Sequence, residues 1–484
     1  MVLEGKHWIV RSIGLFDKTD YHDCLIRENR LYLQRNNLPK TRGRIFFLED
    51  PQTDRAYVIT VQAPDFVNPS LEIKDLEVII ESDGFPVTVT ECRRGECERV
   101  CRAYYRKLHN RRTLITMSNT WGDMNSRDRV YADFVKKEID TAAEIGVDIV
   151  QIDDGWQTLI PKDCPKDEAG RRCFLDPFWD LNYERFPDGM AAITAYAKEK
   201  GIMPGLWFAP DSGEGFVRKE RDLSVLKKAY DEWGMRFFKL DMLSVLTSEE
   251  CETFLDMLKR IEAFGPDAEL ELDVTNGIRL GYLCGAEHGI LFIENRYVKT
   301  TTYYPHRTLR NLWNLSALLP TCRFQFEIVN PDLAPESYES DIFAPIFYDL
   351  DWLFASVAVS NPLFWMEMQF LTPRRKAELE RILPIWKKYR ESIATADVMP
   401  IGQEPDGRSH TGFCAVNGDE VFLVLLKEVS HRGFYVYALP VAICEPEILA
   451  TNDRRASLLC EDNALQVSFT DARKYLFVKA KVKK

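Results

Sequence analysis

The sequence predicts an α/β protein in which a (β/α)8 TIM barrel lies between an N-terminal β-domain and a C-terminal antiparallel β-sandwich. Strand-like and helix-like segments alternate between residues 113 and 388, and this alternation is typical of a parallel sheet. We count eight strand candidates in that region, the number of units that closes such a barrel. Four of the strands lead into acidic residues, as expected at the C-terminal rim where barrels carry their functional groups.

Domain boundaries are predicted from changes in the residue pattern. Residues 1–110 contain short alternating strands and end in a helix at 97–108, residues 111–393 hold the barrel, and residues 394–484 are again rich in strands. Turn sequences such as Asn417-Gly418-Asp419 separate the last strands, which favours a small sandwich.

Within the barrel, each strand candidate is expected to be followed by a helix or a helix-like segment. The strands are predicted at 114–117, 147–152, 205–208, 236–241, 268–274, 289–293, 323–328 and 355–359. The helices are predicted at 130–145, 190–200, 223–233, 248–264, 309–319, 348–354 and 374–388. A long loop is expected at 158–187, and loops of this length tend to be functional.

The composition describes an ordinary globular protein and excludes several classes of function. The 484 residues are 45% hydrophobic and 29% charged, with a net charge of −12, so neither nucleic acid nor an anionic membrane is an expected partner. The first twenty residues have no continuous apolar stretch, so we expect a cytoplasmic protein without a signal peptide. An oligomer is possible.

Cofactors and metals are not expected. The twelve cysteines and seven histidines are scattered, and Cys92, Cys97 and Cys101 lack the spacing of a zinc site. No serine-hydrolase elbow, P-loop, HExxH helix or dinucleotide-binding glycine motif is present. The cysteines are expected to be buried thiols.

Asp241, at the end of the fourth strand, is the candidate nucleophile for cleavage of a glycosidic bond. This chemistry needs one ionised carboxylate and a second carboxyl group that gives up a proton. Lys239 lies two residues earlier on the same side of the strand and would keep Asp241 ionised. The alternative is a structural ion pair at the end of a core strand.

Glu294, at the end of the sixth strand, is the candidate acid/base. Arg296 follows two residues later and would oppose the raised pKa that a general acid needs, unless the arginine binds substrate instead. A structural salt bridge is the alternative role for Glu294. Glu327, Asp341 and Asp211 are rival candidates for the acid/base.

Other polar and aromatic residues near strand ends are candidate sugar ligands. Adjacent acids in Asp153-Asp154-Gly155-Trp156 repel each other unless polar groups bind them, and sugar hydroxyls are suitable donors. The predicted substrate-binding residues are Trp121, Asp153, Asp154, Trp156, Trp207, Lys239, Asn276, Arg279 and Arg296. The alternative roles are helix capping for the aspartates, core packing for the tryptophans, ion pairs for Lys239 and Arg296, and loop or helix structure for Asn276 and Arg279.

Three motifs resemble the α-galactosidase clan of glycoside hydrolases, in its melibiase and raffinose-synthase group. They are Gln151-Ile152-Asp153-Asp154-Gly155-Trp156-Gln157, Gly205-Leu206-Trp207-Phe208 and Lys239-Leu240-Asp241-Met242. The resemblance implies a retaining double displacement on α-galactosides or a related α-linked sugar. It also implies that Asp241 is the nucleophile, that Lys239 binds substrate, and that Asp153 and Asp154 bind sugar hydroxyls.

The chain departs from this clan at the acid/base. Where the family carries Ser-Asp-Asp-Thr-Asp after the sixth strand, this chain has Ile293-Glu294-Asn295-Arg296-Tyr297. The sequence therefore predicts an exo-acting α-glycosidase of oligosaccharides or glycosides, with two alternatives. One is a raffinose-synthase-like glycosyltransferase, and the other is a non-catalytic carbohydrate-binding protein on a decayed glycosidase barrel.

Overall fold

A computed structural model describes residues 3, 7–15, 26–109, 111–338 and 340–483. Within these residues the chain forms a β-rich N-terminal part, a closed barrel and a C-terminal sandwich. The predicted fold class is confirmed. No helix in the described ranges is long and apolar enough to cross a lipid bilayer.

The N-terminal part contains two antiparallel sheets and a helix. The larger sheet has the order β2-β1-β4-β5-β8 and the smaller one the order β3-β6-β7. The strands are β1 Ile9–Leu15, β2 Ile26–Tyr32, β3 Leu38–Arg42, β4 Ile45–Glu49, β5 Arg55–Val61, β6 Ser70–Lys74, β7 Glu77–Glu81 and β8 Val87–Arg93. Helix α1, Cys97–Leu108, has the predicted bounds.

Eight parallel strands close the barrel, and the last of them pairs with the first. They are β9 Met117–Asn119, β10 Ile149–Ile152, β11 Met203–Phe208, β12 Phe237–Leu240, β13 Glu269–Asp273, β14 Ile290–Phe292, β15 Phe324–Ile328 and β16 Asn361–Trp365. Seven of the eight strands overlap their predicted segments. All residues of these strands except Met203 and Glu269 are buried, as expected for a parallel sheet that is covered on both faces.

The barrel helices are α2 Ala132–Ile145, α3 Met190–Glu199, α4 Lys219–Asp231, α5 Ser248–Glu262, α6 Pro305–Ser316, α7 Leu350–Val357, α8 Pro373–Glu380 and α9 Leu383–Thr395. Contrary to the expected pattern, residues 274–289 connect β13 to β14 without a helix. Four glycines with positive φ, at positions 277, 281, 285 and 289, interrupt this connection every four residues. Such backbone angles are incompatible with a right-handed helix.

The eighth strand was predicted wrongly at 355–359. Those residues lie largely in helix α7, and the strand is β16, Asn361–Trp365. All eight residues of α7 are buried, and an apolar segment without a polar face does not show helical periodicity. Pro362 argues against a central strand in the sequence because it cannot donate a ladder hydrogen bond.

Two further antiparallel sheets form the C-terminal sandwich, with the orders β17-β18-β19-β24-β21 and β20-β23-β22. The strands are β17 Asp397–Gly402, β18 His410–Asn417, β19 Glu420–Lys427, β20 Phe434–Ala438, β21 Ile443–Thr451, β22 Ser457–Glu461, β23 Ala464–Ser468 and β24 Lys474–Val482. Residues of both sheets share one apolar core. The predicted domain boundary at 393/394 falls within helix α9 and stays a prediction, as does the one at 110/111.

Candidate active site

A cavity of about 380 Å³ opens at the C-terminal ends of the barrel strands. Its carboxylates are Asp153, Asp154, Asp241 and Asp273, and its cations are Arg172, Lys239 and Arg279. Strand register explains the grouping: Lys239 pairs with Trp207 on one side and with Glu271 on the other. Alternate residues of neighbouring strands therefore point to the same face.

Asp241 follows β12 and faces this cavity, with 21% of its side chain exposed. Trp207 donates a hydrogen bond from Nε1 to Oδ2 over 3.1 Å, and Arg279 lies with Nη2 3.2 Å from Oδ1. Burial by itself raises the pKa of this carboxyl, but the charges of Arg279 and Lys239 and the Trp207 hydrogen bond outweigh burial. The pKa of Asp241 is lowered, so the group is a carboxylate at neutral pH.

Lys239 contacts a different aspartate from the one the sequence suggested. Its Nζ lies 3.5 Å from Oδ2 of Asp153, and it also lies over the rings of Phe292 and Trp365, at 4.6 and 5.0 Å. Burial lowers the pKa of this ammonium, but four surrounding carboxylates, Asp153 first, raise it above its ordinary value. Lys239 therefore acts on Asp241 through its charge, while Arg279 makes the direct contact.

Asp153 and Asp154 are both in the cavity wall but are held differently. Asp153 accepts hydrogen bonds from Asn119 Nδ2 at 2.6 Å and from the backbone N–H of Asp154 at 2.8 Å. Asp154 accepts one from Gln157 and lies 3.3 Å from Arg127. Burial raises the pKa of Asp154 to about 6, and the neighbouring Asp153 adds to the effect. The pair presents one fixed acceptor and one carboxyl that titrates near neutral pH.

Asp273 ends β13 and is a further carboxyl group of the cavity. Its Oδ1 accepts two hydrogen bonds from Thr275, from the backbone N–H at 2.9 Å and from Oγ1 at 2.8 Å. Burial and the negative charge of Asp241 raise the pKa of Asp273 to about 7, against the opposing charges of Arg279 and Lys239. The cavity therefore contains one carboxyl with a lowered pKa, Asp241, and two with a raised pKa, Asp154 and Asp273.

Four aromatic side chains line the cavity: Trp121, Trp207, Phe292 and Trp365. Flat rings of this kind suit the apolar face of a sugar. Trp156 does not join them. It is fully buried, stacks on Trp179, and donates from Nε1 to the carbonyl of Trp207, so the structure places this predicted ligand in the core.

Glu294 and Arg296 do not line the cavity either. Both are fully buried, and they lie 3.1 Å apart. Thr308 and Asn311 donate hydrogen bonds to the two oxygens of Glu294. The structure thus shows the salt-bridge alternative for Glu294, and its acid/base role stays a prediction that its burial opposes.

The rival acids are also outside the cavity lining. Asp211 is fully buried and accepts from the backbone of Phe174 and Gly213. Glu327 is buried and accepts from the backbone of Arg296 at 3.2 Å. Asp341 accepts a hydrogen bond from Tyr304.

Sequence reasoning placed Asn276 and Arg279 in the cavity, as the structure does, but it missed Asp273, Thr275, Asn295, Phe292 and Trp365. Asp273 could have been found. Glu271 and Asp273 repeat, on the fifth strand, the spacing of Lys239 and Asp241 on the fourth. Trp365 was missed because the eighth strand was placed too early.

Comparisons with known proteins agree with this architecture. The family model called Melibiase matches residues 97–236, a segment that ends before Asp241. The α-galactosidase AgaA of Geobacillus stearothermophilus is 30% identical over 92 residues, which are 18% of this chain and 11% of that protein. The α-galactosidase Mel36A of Lactobacillus acidophilus is 28% identical over 92 residues, with the same coverage. These sequence matches thus span about a ninth of the curated relatives.

Solved structures extend the likeness over the whole chain. The GH36 α-galactosidase AgaB of Geobacillus stearothermophilus superimposes with a TM-score of 0.71 at 12% identity, covering 99% of this chain and 75% of that one. A putative α-galactosidase from Bacteroides fragilis has a TM-score of 0.51 at 11% identity, and the superposition covers 100% of this chain and 99% of that one. Residues 97–236 of this chain are thus similar to the melibiase family, and the chain as a whole shares the fold of solved α-galactosidases.

Proposed function

We propose that the protein is a retaining, exo-acting α-glycosidase that hydrolyses terminal α-galactosides or a closely related α-linked sugar. The observation that carries this proposal is Asp241, a carboxylate with a lowered pKa that faces a cavity and is oriented by Trp207 and Arg279. A solved α-galactosidase variant with this fold binds raffinose, which supports the choice of substrate class.

The cavity supports recognition of a single terminal sugar. Its volume of about 380 Å³ lies at the lower end of the range for small-molecule sites, about 300–1,000 Å³. Asp153 and Asp154 offer acceptors to sugar hydroxyls, Lys239 offers a donor, and Trp121 offers an aromatic wall. Polar groups and aromatic rings in one cavity match the two kinds of surface that a pyranose presents.

In the proposed reaction, an Asp241 oxygen attacks the anomeric carbon while the bond to the leaving oxygen breaks. The leaving oxygen takes up a proton from a second carboxyl group. Water then attacks the same carbon, the ester to Asp241 breaks, and the sugar is released with its original configuration.

The test uses wild-type protein and Asp241→Ala with 4-nitrophenyl α- and β-galactosides. The wild type should hydrolyse the α-anomer and release α-galactose first, as followed by NMR before mutarotation. Asp241→Ala should lose about three orders of magnitude or more in kcat. Added azide should restore turnover in this variant and give β-galactosyl azide, because azide enters the space left by the nucleophile.

Asp267→Ala is the matched control, since this carboxylate also pairs with an arginine, at 2.8 Å, but precedes β13 at the opposite end of the barrel. It should keep wild-type kcat. Sugar binding without turnover in the wild type would contradict the proposal and favour the carbohydrate-binding alternative. Transfer to an added acceptor sugar with negligible hydrolysis would favour the glycosyltransferase.

A further inference from the structure

We propose that Asp273 is the acid/base of this site: its carboxyl group protonates the leaving oxygen and later takes a proton from the attacking water. This inference rests on the proposed glycosidase function, because it assigns the second carboxyl group that a retaining mechanism requires. Asp273 touches the reacting atoms in this scheme and would therefore be a catalytic residue.

The register of the barrel brings Asp273 beside Asp241. Lys239 pairs with Glu271 and Leu240 pairs with Leu272, so Asp241 and Asp273 each directly follow a residue of the last pair in this register. Both line the same cavity. Neighbouring strands lie about 4.8 Å apart, so the two carboxyl groups are close enough for the charge of Asp241 to act on Asp273.

The hydrogen bonds of Asp273 leave one oxygen available for proton transfer. Thr275 donates two hydrogen bonds to Oδ1, from its backbone N–H and from Oγ1. Within the described part of the chain, no side chain or backbone group donates a hydrogen bond to Oδ2. A donor pair on one oxygen fixes the orientation of the carboxyl plane, while the other oxygen can hold a proton. Glu294, by contrast, has donors on both oxygens.

The charges around Asp273 suit a group that exchanges protons near neutral pH. Burial and the charge of Asp241 favour its protonated form, while Arg279, Lys239 and the N–H of Thr275 favour the ionised form, and the net result is a pKa of about 7. The pKa of Glu271, on the same strand, is also raised to about 7. Opposite shifts in two neighbouring carboxyls, Asp241 down and Asp273 up, are the arrangement that divides acid and nucleophile roles.

The two steps balance in atoms and charge. In the first, the Asp241 carboxylate forms a bond to the anomeric carbon, the glycosidic bond breaks, and the proton of Asp273 moves to the leaving oxygen. In the second, the Asp273 carboxylate takes a proton from water, the water oxygen bonds to the anomeric carbon, and the ester bond to Asp241 breaks.

The experiment compares wild type with Asp273→Asn on two α-galactosides. Methyl α-galactoside has a poor leaving group that needs a proton, and the 4-nitrophenyl compound has a good one. We expect kcat/KM to fall about 100- to 10,000-fold on the methyl compound and far less on the nitrophenyl compound. In the wild type, kcat/KM should fall as the pH rises above about 7. This basic limb of the pH profile should vanish in the variant.

Azide separates this role from that of the nucleophile. Attack on the galactosyl–Asp241 ester needs no base when azide replaces water. Azide should therefore accelerate Asp273→Asn and give α-galactosyl azide, the anomer opposite to that from Asp241→Ala. Glu294→Gln, tested in parallel, should keep the basic limb and show no azide product. The proposal would be overturned if Glu294→Gln lost the basic limb of the pH profile and gave α-galactosyl azide, while Asp273→Asn did neither.

Thr275→Val provides a second route if Asp273→Asn does not fold. Removing the Oγ1 donor disfavours the ionised carboxylate of Asp273, so the basic limb should move to higher pH. An unchanged limb would contradict the proposal. A wild type that turns over no α-galactoside overturns the proposed function itself, whereas an active wild type with an unaffected Asp273→Asn overturns only the role of Asp273.

Discussion

At the scale of single residues, the site depends on how Asp241 remains charged in a largely enclosed place. A buried carboxylate is costly unless an opposite charge or hydrogen bonds stabilise it. Here Arg279 supplies a contact at 3.2 Å, and Trp207 and the backbone N–H of Met242 supply hydrogen bonds. The same groups that stabilise the anion also orient it, as the proposed role of Asp241 as a nucleophile requires.

Arg279→Gln should therefore raise the pKa of Asp241 and weaken activity at low pH. Because the cation lowers this pKa, its removal should move the acid limb of kcat/KM upward by about one pH unit. Arg279→Lys keeps the charge and should show a smaller shift. Rates measured between pH 3 and 9 on 4-nitrophenyl α-galactoside provide the check, and an acid limb identical in Arg279→Gln and wild type would refute this role of the arginine.

At the scale of secondary structure elements, the inward positions of the barrel strands form a polar layer below the cavity. Asn119 on β9 donates to Gln151 on β10 at 2.5 Å, and Gln151 donates to Glu271 on β13 at 2.7 Å. Lys239 on β12 pairs in register with Glu271. Most barrel interiors hold branched apolar residues in such layers. The polar layer in this barrel instead provides charges and hydrogen bonds directly below the carboxyl groups of the cavity.

The buried Glu271 makes stability depend on pH. Burial raises its pKa from 4.5 to about 7, so between these values the folded protein binds more protons than the unfolded chain. Stability should fall as pH rises through this window, by about 3 kcal/mol in total for this group. Glu271→Gln does not titrate, and its free energy of unfolding relative to wild type should increase from pH 4.5 to pH 8.

Urea unfolding across this pH range measures the difference. Glu252→Gln is the control, because Glu252 is an exposed glutamate on α5, and it should follow the wild-type pH dependence. A constant difference between Glu271→Gln and wild type would mean that the pKa of Glu271 is the same in the folded and unfolded states.

At the scale of the whole molecule, the β-rich N-terminal part contacts the loop that carries Arg279 into the cavity. Asp65 accepts a hydrogen bond from the backbone N–H of Arg279 at 3.0 Å, and its own N–H donates to the carbonyl of Arg279 at 2.9 Å. The connection 274–289 has no helix to stabilise it. These contacts from the N-terminal part therefore help to position the arginine that contacts Asp241.

Asp65→Ala should reduce kcat/KM about tenfold, since small displacements of a positioning group have effects of this size or larger. Asp50→Ala is the matched control: Asp50 is a buried carboxylate of the same N-terminal part, but it accepts a hydrogen bond from the backbone N–H of Gln52 within its own turn. Both variants should lose about 1–2 kcal/mol of stability, but Asp50→Ala should keep wild-type activity. Equal activity in the two variants would remove the link between the N-terminal domain and the site.

Much of this molecule is determined by the sequence itself. Alternating strands and helices, buried apolar strands and strand-end acids are local patterns, so the barrel, the sandwich and the cavity positions of Asp153, Asp154 and Asp241 are predictable from them. Local pattern fails where a segment is apolar throughout, so the sequence predicts a strand where the last turn of helix α7 lies, at residues 355–357.

Only the tertiary structure decided which strand-end residues meet. Glu294, Trp156 and Arg296 have the same sequence signature as Asp241 and Trp207, yet they are buried in the core, while Asp273 faces the cavity. The side of the strand and the depth of a residue depend on register with neighbouring strands and on the packing of distant helices. Such long-range geometry sets burial and nearby charge, and through them the pKa of each carboxyl group.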